Sequence, residues 1–148
     1  MTEPKPSELL AGAALTAFRL NGQFLAVAEQ LARPAGLTAA WWQVLGAIVD
    51  EPLPVAAIAR AMGITRQSVQ RIADLMVDKG FAEYLPNPAH RRAKLLRLTA
   101  EGRAAMRRIT PDQRAFADRL ANQLGVEEFR RALESLEQLS AALDVLAD

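Results

Sequence analysis

Apolar residues near the start of the chain recur at alternating intervals of three and four: Leu10, Ala13, Ala17, Leu20, Phe24, Val27 and Leu31. That period draws one stripe along a helix. The helix is expected to begin near Glu8 with Ser7 as its N-cap, and Pro34 and Gly36 end it. A second helix follows over Ala39–Val49, capped by Thr38, with Trp41, Val44, Leu45 and Ile48 on its apolar face. Asp50-Glu51-Pro52 stops it. Pro54 suits the first turn of a third helix running to Met62, whose inward face is Val55, Ile58, Ala59 and Met62. Gly63 permits a tight turn, and Thr65 caps a fourth segment in which Val69, Ile72, Ala73 and Met76 share one side. Gly80 ends that segment in the left-handed manner.

The period then changes. Phe81 to Leu85 and Lys94 to Leu98 read as two strands joined by the turn residues Asn87-Pro88-Ala89-His90. Thr99 caps a helix starting at Ala100, with Gly102 slightly weakening its first turn. This helix is expected to reach about Thr110, where Pro111 either interrupts it or opens the next. A last helix over Glu127–Leu146 carries Phe129, Ala132, Leu136, Leu139, Leu143 and Leu146 at three-four spacing, mirroring the first stripe. The expected fold is mainly α with a small β wing: a winged helix-turn-helix plus a helical dimerisation region. Residues 1–36 and 100–148 form the dimerisation helices, and residues 37–99 form the DNA-binding domain.

Two short amphipathic segments around Gly63 are the pattern of a helix-turn-helix. The second has the polar face that base recognition requires: Arg66, Gln67, Gln70 and Arg71 near its N-terminus. Arginine matches guanine O6 and N7, and glutamine matches adenine N6 and N7. Thr65 and Ser68 are placed to meet phosphate beside the helix N-terminal amides. In the hairpin, Arg91 at the tip suits the minor groove, while Arg92, Lys94 and Arg97 suit phosphates unless they turn inward. Arg92 paired with a carboxylate such as Asp74 is the competing reading.

Charge sharpens this picture. The chain of 148 residues has a net charge of only +1, yet Arg60 to Arg108 carries eleven Lys or Arg against four Asp or Glu, a balance of +7 that the remainder offsets with −6. A basic middle between acidic ends is the footprint of a polyanion-binding surface.

Composition narrows the alternatives. The chain has no cysteine and a single histidine, His90, so disulfides and thiolate sensing are excluded, the remaining carboxylates are a poor ligand set for zinc or copper, and no cofactor is expected. No serine nucleophile elbow, phosphate-binding glycine loop or metal motif accompanies His90, which argues against an enzyme. No stretch is apolar enough to span a bilayer and no signal peptide is evident, so a cytoplasmic location is expected.

The stretches LTAAWWQVLGAI, VAAIARAMGITRQSVQRIADLMVDKG and NPAHRRAKLLRLTAEG resemble the MarR (multiple antibiotic resistance regulator) family of bacterial transcription factors, over roughly Leu9 to Leu146. The resemblance implies an obligate homodimer with intertwined terminal helices, bound to a pseudo-palindromic operator in double-stranded DNA, with repression as the usual outcome. It also implies an effector cleft for aromatic acids or phenols. Phe18, Trp41 and Trp42 are the nearest candidates to line it, with Arg19 for a carboxylate unless Glu29 takes that side chain; Phe24 is better read as packing. At the wing the chain departs from the family: many relatives have Asp-x-Arg, and this one has His90-Arg91-Arg92.

The residues themselves also argue for the dimer. Each terminal stripe needs a partner: one could cover the other within a single chain, but a compact DNA-reading middle between two stripes favours an intermolecular bundle, placing two recognition helices about one DNA turn apart. The alternative function is a winged-helix module that binds protein and has no operator of its own.

Overall fold

A computed structural model describes residues 2–147. Six helices and three short strands follow in the order α1 (Pro6–Ala32), α2 (Ala39–Ala47), β1 (Leu53–Pro54), α3 (Val55–Met62), α4 (Arg66–Asp78), β2 (Ala82–Leu85), β3 (Leu95–Leu98), α5 (Ala100–Leu124) and α6 (Val126–Leu146). They form two compact units, Met1–Ile109 and Thr110–Asp148.

Capping explains most boundaries in the first unit. The Thr38 hydroxyl accepts the Trp41 N–H at 3.1 Å, and the Glu29 carboxylate accepts the Ala39 N–H at 3.1 Å. Two of the four orphan donors of α2 are thus satisfied, one of them by a side chain of α1. Glu29 is therefore a cap across two helices, and not the partner of Arg19. The Thr99 hydroxyl starts α5 by accepting the Gly102 N–H at 3.1 Å while donating to the Gly80 carbonyl at 2.6 Å. Gly63 and Gly80 adopt φ of 68° and 84°, the left-handed region that each turn needs.

Several expectations change. Helix α1 is capped by Lys5, not Ser7: Pro6 sits in the first turn with no N–H to lose, and the Lys5 N–H donates to the Glu8 carboxylate at 3.3 Å. Pro54 is the N-cap of α3 rather than a residue of its first turn, and with Leu53 it pairs against Leu95 and Leu96. The sheet accordingly has three strands in the order β1-β3-β2, all antiparallel. Helix α5 continues through Pro111 to Leu124. Gly102 is no mere weak point, because it is buried where the start of α5 crosses the Phe81 carbonyl.

Val44, Leu45, Ile48, Ile58, Val69, Met76, Leu96 and Ile109 are fully buried and form the centre of the first unit's core. The apolar faces of α2, α3 and α4 meet there as the sequence pattern requires. Helix α1 contributes only its last turns, ending in the buried Ala32. Earlier members of its stripe, Leu10 and Phe24, are exposed. Helix α6 has no buried residue. Among the described residues no helix is long and apolar enough to cross a membrane.

Candidate nucleic-acid interface

Helix α4 buries Val69, Ala73 and Met76, a spacing that turns Arg66, Gln67, Gln70, Arg71 and Asp74 outward, all of them exposed. Thr65 opens the helix. Its hydroxyl accepts the Ser68 N–H at 3.1 Å and donates to the Ser68 hydroxyl at 2.9 Å. The two residues expected to meet phosphate are therefore joined to each other at the helix N-terminus, where free amides and the helix dipole favour an anion.

The wing lies beside this face. Strands β2 and β3 pair Ala82 with Leu98, Glu83 with Arg97, Tyr84 with Leu96 and Leu85 with Leu95. Residues 86–94 connect them; the Asn87 side chain accepts the Ala89 N–H at 3.0 Å, and the Asn87 carbonyl accepts the His90 N–H at 3.2 Å. His90, Arg91 and Arg92 are exposed in this connection. Arg97 pairs across the strands with Glu83, so one of the expected phosphate cations is committed within the wing.

An open cleft of about 510 Å³ separates α4 from the wing, lined among others by Arg66, Gln67, Gln70, Tyr84, Arg92 and Lys94. The structure thus gathers residues from both halves of the expected DNA surface around one groove. Arg71 and Arg91 are exposed outside this lining.

Asp74 braces the groove, but through partners other than Arg92. The Tyr84 hydroxyl donates to Asp74 at 2.5 Å, and the Gln70 amide nitrogen lies 2.9 Å from Asp74 and 2.9 Å from the Tyr84 oxygen. The Lys94 ammonium sits over the Tyr84 ring, 5.8 Å from its centre. Burial pushes the Tyr84 hydroxyl well above the usual phenol range, helped by its hydrogen bond to Asp74 and the charge there, with the Gln70 amide offsetting part. Nothing in the sequence pattern singles out Tyr84. It stands fourteen residues from Gln70 and ten from Asp74, and only strand β2 brings it to the helix.

The expected effector residues are more scattered. Phe18 is 73% exposed on α1 and Arg19 is exposed beside it. Trp41 and Trp42 are half-buried, and both pack against the edge of the core. The Lys79 ammonium, at the end of α4, lies 5.2 Å from the centre of a Trp41 ring. Among the described residues no cluster of three or more His, Asp or Glu side chains is arranged to hold a metal.

Residues 35–93 match the model of the MarR family. An uncharacterised protein of Mycobacterium tuberculosis is 36% identical over 137 residues, covering 93% of this chain and 96% of that protein. The transcriptional repressor CouR, solved bound to a 23-mer DNA duplex, is similar in structure with a TM-score of 0.73 at 27% identity, over 94% of this chain and 99% of that one. The transcriptional regulator MosR of M. tuberculosis, solved in complex with DNA, gives a TM-score of 0.71 at 26% identity, over 88% of this chain and 97% of that one.

Proposed function

Because the chain belongs to the MarR family of transcription regulators, we propose that it works as a homodimeric repressor on a pseudo-palindromic DNA operator. A small aromatic or phenolic effector releases it. The observation that carries the reading is the groove between α4 and the wing, where Arg66, Arg92 and Lys94 surround the polar Gln67 and Gln70. In this reading α4 enters the major groove, with Arg66, Gln67, Gln70 and Arg71 at base edges. Thr65 and Ser68 take a phosphate at the helix N-terminus. Arg91 reaches the minor groove, and Arg92 and Lys94 hold phosphates. CouR and MosR, each solved with DNA, support this assignment by likeness.

Dimerisation is proposed from the faces that the protomer leaves open. Leu10 and Phe24 are exposed along α1, and Leu136, Leu139 and Leu143 along α6; an exposed apolar stripe on a helix is the kind of face that association covers. Phe18, Arg19, Trp41 and Trp42 are the proposed effector contacts, with Arg19 taking a carboxylate.

The test is binding to a labelled duplex covering the gene's upstream region, comparing wild type with Arg71→Ala over a salt series. Tight, salt-sensitive binding that the variant loses supports the reading. A folded wild-type dimer that selects no specific duplex, even from a randomised pool, replaces it with the protein-interaction module.

A further inference from the structure

The hairpin is tied to α4 at two distances from the core. Just before β2, the Met76 carbonyl accepts the Phe81 N–H at 2.9 Å. Further out, the Tyr84 hydroxyl donates to Asp74 at 2.5 Å, and the Gln70 nitrogen reaches the Tyr84 oxygen at 2.9 Å. The pleat explains why Tyr84 is placed for this. It pairs with the buried Leu96 and shares a face with the buried Ala82 and Leu98, while Glu83 and Arg97 take the other face. Phe81 and Tyr84 are three residues apart, about 10 Å along a strand. One tie would leave a pivot, and a second at that distance fixes the angle. Tyr84 also reaches across the hairpin, where the Lys94 ammonium, just before β3, lies 5.8 Å from the centre of its ring. It stands next to the connection 86–94, which carries Arg91 and Arg92.

On the DNA-binding role proposed above for α4 and the wing, we infer that Tyr84 is a positioning residue: its hydroxyl, held by Asp74, sets the angle of the wing against α4, so that the two meet the duplex as one preformed surface. A wing free to pivot has to be ordered when DNA binds, and the freedom lost is subtracted from whatever Arg91, Arg92 and Lys94 gain there. A wing already set at its angle loses little. The two ends of the Tyr84 side chain divide the task. The ring faces the Lys94 ammonium, and the hydroxyl reaches the helix. Phenylalanine would keep the first contact and lose the second. The hydroxyl holds its proton more tightly than a free phenol does, so it remains a donor across the neutral range. Asp74 acts through Tyr84 as the acceptor, and the effect of both appears in what the wing cations contribute to binding.

The test is a mutant cycle in DNA affinity, read by fluorescence anisotropy on a duplex that wild type selects from a randomised pool. Arg92→Ala is measured in the wild-type background and in Tyr84→Phe. In wild type it is expected to weaken binding by about tenfold, the worth of a hydrogen bond to a charged group. In Tyr84→Phe the same change is expected to cost only about threefold, because a wing that must first be ordered contributes less. Arg66→Ala, on α4 itself, is expected to cost the same factor in both backgrounds. A protein that is merely less folded loses equally in every arm, and the ratio cancels that loss. Asp74→Asn keeps an acceptor for the Tyr84 hydroxyl and is expected to keep the wild-type ratio. Asp74→Ala is expected to lower it as Tyr84→Phe does, and takes the place of that variant should it fail to fold. An Arg92→Ala loss that is equal in wild type, Tyr84→Phe and Asp74→Ala, zero included, overturns the inference, while selective DNA binding and the proposed function stand. An Arg66→Ala loss that shrinks together with the Arg92→Ala loss overturns it too, since the tie would then shape α4 and not the wing. If folded wild type selects no duplex at all, the proposed function falls and the inference with it.

Discussion

A Cβ placed on Gly102 would lie 2.0 Å from the carbonyl oxygen of Phe81. The same carbonyl accepts the Thr99 N–H at 3.1 Å, so the first turn of α5 rests directly on the backbone that leads into the wing. Gly102→Ala cannot be absorbed by a side-chain adjustment, since the obstacle is main chain. It is expected to destabilise the first unit by about 3 kcal/mol, the upper range for overpacking, despite alanine's better helix propensity. Urea denaturation followed by circular dichroism measures this, and an unchanged midpoint would contradict the packing argument.

The single tyrosine of the chain makes its titration directly visible. An unfolded phenol titrates near 10, and folding raises Tyr84 above that. The proton is held more tightly in the folded state, so the associated stability is complete below about pH 10 and is lost as pH climbs toward the folded value. Tyrosinate absorbance of the native protein is expected to rise well above pH 10. Tyr84→Phe is expected to show a flatter decline in melting temperature over that alkaline range. A native tyrosinate transition centred at 10 would refute the Asp74–Tyr84 contact in solution.

The cations of the groove and the cation of the hairpin stem should behave differently. Arg92→Ala and Lys94→Ala are each expected to reduce the slope of log K against log salt by about 0.9 for every phosphate contact removed. Arg97 is paired with Glu83 and is expected to leave that slope nearly unchanged when replaced by alanine. Fluorescence anisotropy on one duplex at several salt concentrations separates the two classes. Equal slopes for all three variants would mean that Arg97 leaves Glu83 to reach DNA.

Leu136 and Leu139 are 41% and 50% exposed on α6. If these positions form the subunit interface, Leu139→Glu puts a charge into an apolar seam and should weaken association by at least tenfold, about 1.4 kcal/mol. Analytical ultracentrifugation over a dilution series reads this. A variant that sediments as the wild type does would place the interface elsewhere.

Removal of the Thr65 hydroxyl is expected to cost about 1 kcal/mol of stability through loss of the α4 N-cap. Thr65→Ser restores most of it, because serine keeps the acceptor for the Ser68 N–H. Thermal melts of the two variants check this. Equal melting of Thr65→Ala and wild type would show that the cap is dispensable.

Local chemistry made most of the first unit legible in the sequence. Thr38, Thr65 and Thr99 announce helix starts, Gly63 and Gly80 announce turns, and the three-four spacing of Val69, Ile72, Ala73 and Met76 identifies the buried face of α4. What escaped depends on residues far apart in the chain. Leu53 and Pro54 become a strand only because Leu95 and Leu96 return to pair with them, and two residues carry no period of their own. Glu29 looked like a surface acid until α2 presented its N-terminus. Gly102 looked like a poor helix residue because the obstacle at Phe81 is a backbone atom twenty-one positions earlier. Pro111 left the course of α5 open, since the same residue can start a helix or sit within one. The groove is legible as a set of polar and cationic residues, but the contacts that join Gln70, Asp74 and Tyr84 are not, because Tyr84 reads simply as a strand aromatic.

The Glu29 cap also has a mechanical meaning. Helix α1 packs into the core only near its end, where Glu29 holds the Ala39 N–H and Ala32 is buried. From that anchor to Pro6 the helix extends about 35 Å at ~1.5 Å per residue. A pivot of roughly 5° at the anchor would sweep the far end through about 3 Å, the helix moving as a stiff rod. With its hold on the core at one end, the first helix has a lever arm's proportions: any tilt beside α2 would be magnified at its tip.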